Sequence, residues 1–151
     1  MTFTRREALG LGAGAAVFLA TGLRVEPAAA SAEEAMKMVM DFAGGKEPTA
    51  GKITLSAPEI AENGNTVPIS VSVDSPMTDD DYVESVMVVA AGNPRPGVAT
   101  FNFSPMSGVA EASTRMRLAK TQKVMAVAKM NSGAVFMDAK EVKVTIGGCG
   151  G

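Results

Sequence analysis

From Lys52 to Ile146 the apolar residues return at every second position, and this period of two constrains the chain more than any other feature. Successive side chains of a strand point to opposite faces, so such a run makes a strand with one face buried and one on water. Val67, Ile69, Val71 and Val73 alternate in this way with Pro68, Ser70 and Ser72. Ile53 and Leu55 open an earlier strand, Ala99, Phe101 and Phe103 mark a later one, and Thr114, Met116 and Leu118 alternate with solvent-facing Arg115 and Arg117. Val83 to Ala91 is a largely apolar strand candidate. Lys123 to Met130 and Ala134 to Asp138 read as a hairpin about Asn131-Ser132-Gly133, and Glu141 to Ile146 as a last strand burying Val142, Val144 and Ile146. Glu62-Asn63-Gly64-Asn65 and Asn93-Pro94-Arg95-Pro96-Gly97 supply turns. About seven short strands with this spacing predict an all-β fold, an immunoglobulin-like antiparallel β-sandwich over residues 46–146, with a barrel as the alternative. Pro68 places its strand at an edge or marks a strand start.

Before the strands lies one helical pattern, predicted over residues 31–45. Ser31 is a candidate N-cap, Glu33 and Glu34 oppose the helix dipole, and Gly44-Gly45 provides the stop. Met36, Val39, Met40 and Ala43 fall on one face, so a short amphipathic helix packing a methionine-rich stripe on the body is expected.

The first 30 residues read as an export signal. Arg5-Arg6 is a twin arginine, followed by the apolar, small-residue run from Leu11 to Thr21 and by Pro27-Ala28-Ala29-Ala30. The run is too short and glycine-rich for a membrane span of about 20 residues, so no membrane association is expected of the mature form. Cleavage is expected after Ala30 or Ala32, and the destination is the periplasm. A twin-arginine signal usually carries Phe and Lys where this one has Ala8 and Gly10. Without residues 1–30 the chain keeps 11 cationic and 14 anionic residues, a net charge of −3.

Composition removes several function classes. There is no histidine and only one cysteine in 151 residues, which excludes Ser-His-Asp and Cys-His catalysis, the usual zinc sites, a CxxC redox pair and an intramolecular disulfide. No cofactor, metal or catalytic residue is expected. The acidic balance, 5% aromatics and the absence of tryptophan argue against nucleic acid. Asp79-Asp80-Asp81 lacks the alternate spacing and closing glutamate of a calcium loop and reads as a solvated turn.

There remains the tail. Gly147-Gly148-Cys149-Gly150-Gly151 sets the single thiol between two glycine pairs. Five such residues resist regular structure, so a flexible arm is predicted. Three residues beyond Ile146 place the thiol roughly 10 Å from the last strand at full extension. Free thiols titrate near about 8.5, and nothing adjacent to Cys149 in sequence is cationic. Such a thiol suits a tethered substrate better than an independent catalyst, which needs an electropositive setting. Its alternative use is to join two copies of an exported structural sandwich by a disulfide.

The terminal pentapeptide, Pro58 to Pro68, Val73-Asp74-Ser75-Pro76-Met77, Asn93-Pro94-Arg95-Pro96, Ala99-Thr100-Phe101 and Ser113 to Ala119 together resemble the SoxY sulfur carriers of the bacterial Sox thiosulfate-oxidation system. The resemblance spans most of the mature chain. It implies a periplasmic, non-enzymatic carrier whose Cys149 is loaded with thiosulfate by a haem-containing enzyme, giving a cysteine S-thiosulfonate. It further implies a hydrolase that releases sulfate and leaves a cysteine persulfide, a sulfur dehydrogenase acting later, and a SoxZ-like β-sandwich subunit as the standing partner.

Overall fold

A computed structural model describes residues 27–146, with side chains from residue 31 onward. Among the described residues, one helix and nine strands succeed one another. Helix α1 (Pro27–Phe42) precedes β1 (Thr49–Ala50), β2 (Ile53–Ser56), β3 (Ile60–Ala61) and β4 (Val67–Val73). Then come β5 (Val83–Ala90), β6 (Gly97–Asn102), a 3-10 turn at Pro105–Ser107, β7 (Ala110–Met116), β8 (Gln122–Met130) and β9 (Val135–Val144). They form two sheets. The smaller has the order β2-β4-β7 and the larger β1-β9-β8-β5-β6, with β3 also on β9. The predicted immunoglobulin-like sandwich is the fold, antiparallel except where the two-residue strands β1 and β3 lie parallel to β9.

Alternation decides which side chains meet between the sheets. Val67, Ile69, Val71 and Val73 of β4 are all buried, and they pack against Val86, Val88 and Ala90 of β5 and Val124, Ala126 and Ala128 of β8. The residues between these on the larger sheet, Met87, Val89, Met125 and Val127, point the other way and meet α1. Covered on both faces, β5 and β8 tolerate unbroken apolar sequence.

α1 differs from expectation in extent and in face. It runs Pro27–Phe42 rather than 31–45, so residues 27–30, assigned to the export signal, form its first turn. Ser31 is therefore no N-cap: it is buried within the helix, in line with Ala35, Val39 and Ala43 at intervals of four. These small residues make the contact, bringing the helix axis close to the sheet. Met36 faces outward, 48% exposed, and Met40 is half-buried. Small side chains won the face because close approach buries more of the sheet's Met87 and Met125 than a methionine stripe would allow. The glycine stop is as expected: Gly44 and Gly45 have φ of 67° and 79°, and the Gly45 N–H donates to the Met40 carbonyl at 2.9 Å, the six-to-one bond of a Schellman ending.

Pro68 lies in the central strand of the smaller sheet rather than at an edge, as the second residue of β4, which is the expected strand start. Its place is explained by β2, whose register with β4 ends at Ser56 opposite Ser70. Beyond that point Ala57 and Pro58 carry the chain across to the larger sheet, so the missing N–H of Pro68 has no neighbour to serve. Gly97, expected within a turn, is the first residue of β6 and pairs with Val89.

The two segments expected as 134–138 and 141–146 are one ten-residue strand, β9, paired with β8 from Lys129 opposite Val135 to Gln122 opposite Val142. Its regular inward and outward alternation is lost over residues 136–139, which are all half-buried because β1 covers their edge and α1 and β2 reach over them. The strand stops at Val144. Val142 is fully buried and Val144 half-buried, but Ile146 is 68% exposed, against the expected burial.

Candidate functional site: the root of the C-terminal segment

The predicted site residues Gly147, Gly148, Cys149, Gly150 and Gly151, and the signal residues Arg5 and Arg6, lie outside the described residues. The structure defines the platform from which residue 147 departs.

That platform is built from backbone groups that a strand end leaves unpaired. On one side of the end of β9, β3 and the turn after it run parallel. The Lys143 N–H donates to the Glu59 carbonyl at 2.9 Å and the Thr145 N–H to the Ala61 carbonyl at 3.1 Å. The Thr145 hydroxyl adds a bond to the Glu62 carbonyl at 3.1 Å. The final carbonyl before the glycines, that of Ile146, accepts the Gly64 N–H at 2.9 Å. On the other side the Thr121 hydroxyl accepts the Val144 N–H at 2.9 Å. Every residue from Lys143 to Ile146 is thus held by at least one hydrogen bond to another segment.

The holding segments are themselves tied together. Asn63 folds its turn by accepting the Asn65 N–H at 2.9 Å, and the Gly64 carbonyl accepts the Leu118 N–H at 2.7 Å. Leu118, fully buried, pins the loop after β7. Asn93 joins the same loop from the turn after β5, donating to the Arg117 carbonyl at 2.8 Å and accepting from the Ala119 N–H at 3.0 Å. Gln122, 7% exposed, completes the node. It accepts the Gly92 N–H at 2.7 Å and donates to Asn93 Oδ1 at 2.8 Å and to the Lys120 carbonyl at 3.1 Å. No buried side-chain nitrogen or oxygen among the described residues is left without a partner.

Three sequence motifs that lie far apart in the chain therefore meet at one end of the sandwich: the stretch around Gly64, Asn93-Pro94-Arg95-Pro96, and the segment through Arg117 to Ala119. Sequence reasoning reads them as turns and a strand, with no hint that they share the task of fixing β9. The asparagine opening the Asn-Pro-Arg-Pro turn was the available signal, since a side chain there has both a donor and two acceptor lone pairs to spend on neighbouring loops.

Exposed charged groups at this end include Arg95, Arg117 and Lys120, with Glu62 on the opposite turn and Glu59 and Lys143 beside the end of β9. The single ion pair among the described residues, Lys129 with Glu84 at 3.7 Å, lies elsewhere. Among the described residues there is no group of three or more side chains able to hold a metal ion.

Fold and site together define a β-sandwich whose last strand is hydrogen-bonded to neighbouring segments as far as the Ile146 carbonyl. The chain belongs to the SoxY family: the family model for sulfur oxidation protein SoxY matches residues 39–149, from α1 through the single cysteine. Among solved structures the chain is similar to the sulfur carrier protein SoxY from Chlorobium limicola f thiosulfatophilum, with 32% identity and a TM-score of 0.61 over 76% of this chain and 99% of that one. The superoxide reductase (neelaredoxin) from Ignicoccus hospitalis shares the fold alone, at 19% identity and a TM-score of 0.56, over 62% of this chain and 80% of its own. A comparison with curated protein sequences finds no match.

Proposed function

We propose that this protein is a carrier in sulfur oxidation and that the Cys149 sulfur is the attachment point of its cargo. The observation that carries the reading is the family match, which extends to residue 149 and so includes the only thiol of the chain. Likeness to a structure described as a sulfur carrier supports it, as does the rooting of Lys143 to Ile146 immediately before the glycines. A fixed root with glycines beyond it confines the thiol to a sphere roughly 10 Å in radius while leaving its orientation free.

The chemistry proceeds by covalent loading. The Cys149 thiol and thiosulfate lose a proton and two electrons, the electrons passing to a haem-containing partner, and a sulfur–sulfur bond forms to give the cysteine S-thiosulfonate. Water then cleaves the terminal bond between sulfane sulfur and sulfonate, releasing sulfate and leaving a persulfide on Cys149 for a sulfur dehydrogenase. The carrier performs none of these steps. It raises the local concentration of each intermediate at successive active sites. A SoxZ-like subunit is its standing partner, Arg5-Arg6 directs export, and the periplasm is the place of work.

Intact-mass measurement on protein purified from cells oxidising thiosulfate tests the reading. Adducts of sulfur and of thiosulfonate on the peptide containing Cys149 are expected. A bare thiol during turnover, or full thiosulfate oxidation with Cys149→Ser, overturns it.

A further inference from the structure

We propose that the free edge of β7 pairs antiparallel with β7 of a second copy of this chain, centred on Ser113, joining the two smaller sheets into one. The backbone fixes which groups face outward. The Asp74 N–H donates to the Lys52 carbonyl at 2.7 Å, continuing the β2–β4 ladder. Even-numbered residues of β4 therefore bond toward β2, while Val67, Ile69, Val71 and Val73 bond toward β7. Their partners Ala110, Ala112, Thr114 and Met116 turn their own backbone groups to β4. Glu111, Ser113 and Arg115 turn their N–H and carbonyl groups the other way, where no strand or loop among the described residues bonds them. All three are exposed. The other edges are closed or interrupted: β9 is flanked by β1 and β3, the outward Leu55 N–H of β2 is accepted by Asp138, and β6 meets β5 with a register break at Val88/Val89. β7 pairs without a break from Ala110 to Met116 and contains neither the proline nor the bulge that usually guards an edge.

Charge selects the occupant and the register. Glu111 and Arg115 are the only charged residues of β2, β4 and β7. Neither has an ion-pair partner among the described residues, and the Glu111 carboxylate accepts only the Ser72 hydroxyl, at 3.3 Å. Two-fold pairing about Ser113 sets Glu111 opposite Arg115 of the second copy and Arg115 opposite its Glu111. These two pairs and Ser113 against itself each exchange two hydrogen bonds, which uses every free edge group of both strands. Centring on Glu111 or on Arg115 instead sets like charges opposite each other, and a slip of one residue turns the outer side chains inward. A second copy supplies the complementary order by symmetry alone. On the inner face Ala112 meets Thr114 of the second copy, two side chains small enough to lie side by side. A single strand of seven residues buries less than the roughly 1,200 Å² of a stable interface, so the pairing is weak and reversible. It also keeps the two ends of β9 apart. Leu118, which bonds Gly64 beside Ile146, lies level with residue 108 of the second copy, so the two Leu118 positions are about 34 Å apart along the strand direction. The pairing goes beyond the carrier reading and does not depend on it.

Sedimentation equilibrium of the full chain, kept reduced so that no disulfide contributes, tests the pairing from roughly 10 μM to 1 mM, the range of weak association. The dimer fraction should rise with concentration. Glu111→Lys and Arg115→Glu should each weaken association about tenfold at low salt, since two attractive pairs become two repulsive ones. The double variant Glu111→Lys, Arg115→Glu restores opposite charges and should return to within about threefold of the original. Ser113→Pro should abolish the dimer with little change in melting temperature, because the N–H it removes points away from β4. The exposed charge variants decide the matter if that proline disturbs the fold. A monomer at every concentration, which leaves the edge to a different chain or to none, overturns the proposal. A dimer that persists in both single reversals and in Ser113→Pro overturns its assignment to β7, and a double variant as weak as the singles overturns the Ser113 register. The measurement needs no sulfur cargo, so it stands whether or not Cys149 proves to be loaded in cells.

Discussion

Truncating Asn93 and Gln122, singly and together, tests the claim that one polar node fastens the loops supporting β9. Asn93 makes three hydrogen bonds, to the Arg117 carbonyl, from Ala119 and from Gln122. Gln122 makes three, to Asn93 and the Lys120 carbonyl and from Gly92. At about 1 kcal/mol net for each bond, either change to Ala should cost about 2–3 kcal/mol, the larger loss falling on Gln122 because it is the more buried. One bond is common to both residues. The double variant therefore loses five bonds, not six, and should be about 1 kcal/mol more stable than the sum of the singles, beyond the 0.3–0.5 kcal/mol scatter of independent sites. Urea denaturation with an unchanged m-value measures each corner of the cycle. A coupling below about 0.3 kcal/mol would refute the node, because it would mean that the loops hold their shape without that bond.

Other contacts give further expected outcomes. Val142→Ala removes two methyl groups from a fully buried position and should cost about 2 kcal/mol, whereas Ile146→Ala, 68% exposed, should shift the denaturation midpoint little; equal losses would contradict the burial that ends β9. Asp138→Ala strands the Leu55 N–H that its carboxylate accepts at 2.8 Å across the gap between the sheets, for about 1–3 kcal/mol in the same assay. Gly97→Ala brings a Cβ within 2.8 Å of the Met38 methyl, which can swing aside, while Gly92→Ala meets Gln122 Cβ, which cannot; thermal melting should show a small change for the first and a large one for the second.

The sandwich was legible because period-two patterning is clear in β4 and β7, and Val67 to Val73 could have adopted no other register without turning its valines to water. Features set by tertiary contact were not legible. Ser31 looks like a cap because its hydroxyl suits one, yet its small size served the helix–sheet contact instead. Asp138 to Lys140 seemed to divide two strands, since a polar break in an alternating run usually marks a turn; here Asp138 stays in the strand by spending its carboxylate on Leu55 and Ala139. Pro68 pointed to an edge or a strand start; it lies at the start of β4, and the departure of β2 at Ser56 accounts for its tolerance in a central strand. Cys149 was singled out by elimination, but the residues that hold the strand before it were not, because hydrogen bonds between segments some 20 to 80 residues apart leave no period in the sequence.

The division between the bonded strand end and the glycines beyond it bears on how such a carrier can serve several enzymes. If the strand end were frayed, the thiol would sweep a larger volume, and its effective concentration at a docked active site would fall steeply with the added length. Four successive residues, Lys143 to Ile146, are instead bonded to segments on both sides of β9. The described strand end is thereby fixed as far as the Ile146 carbonyl. Selection of the partner then falls to the surface around the root, where Asn93-Pro94-Arg95-Pro96 and Arg117 present the same exposed cations to every enzyme that receives the thiol. On this argument, lengthening the root by inserting residues between Ile146 and Gly147 should impair transfer to all partners together, while charge changes at Arg95 or Arg117 should impair them unequally.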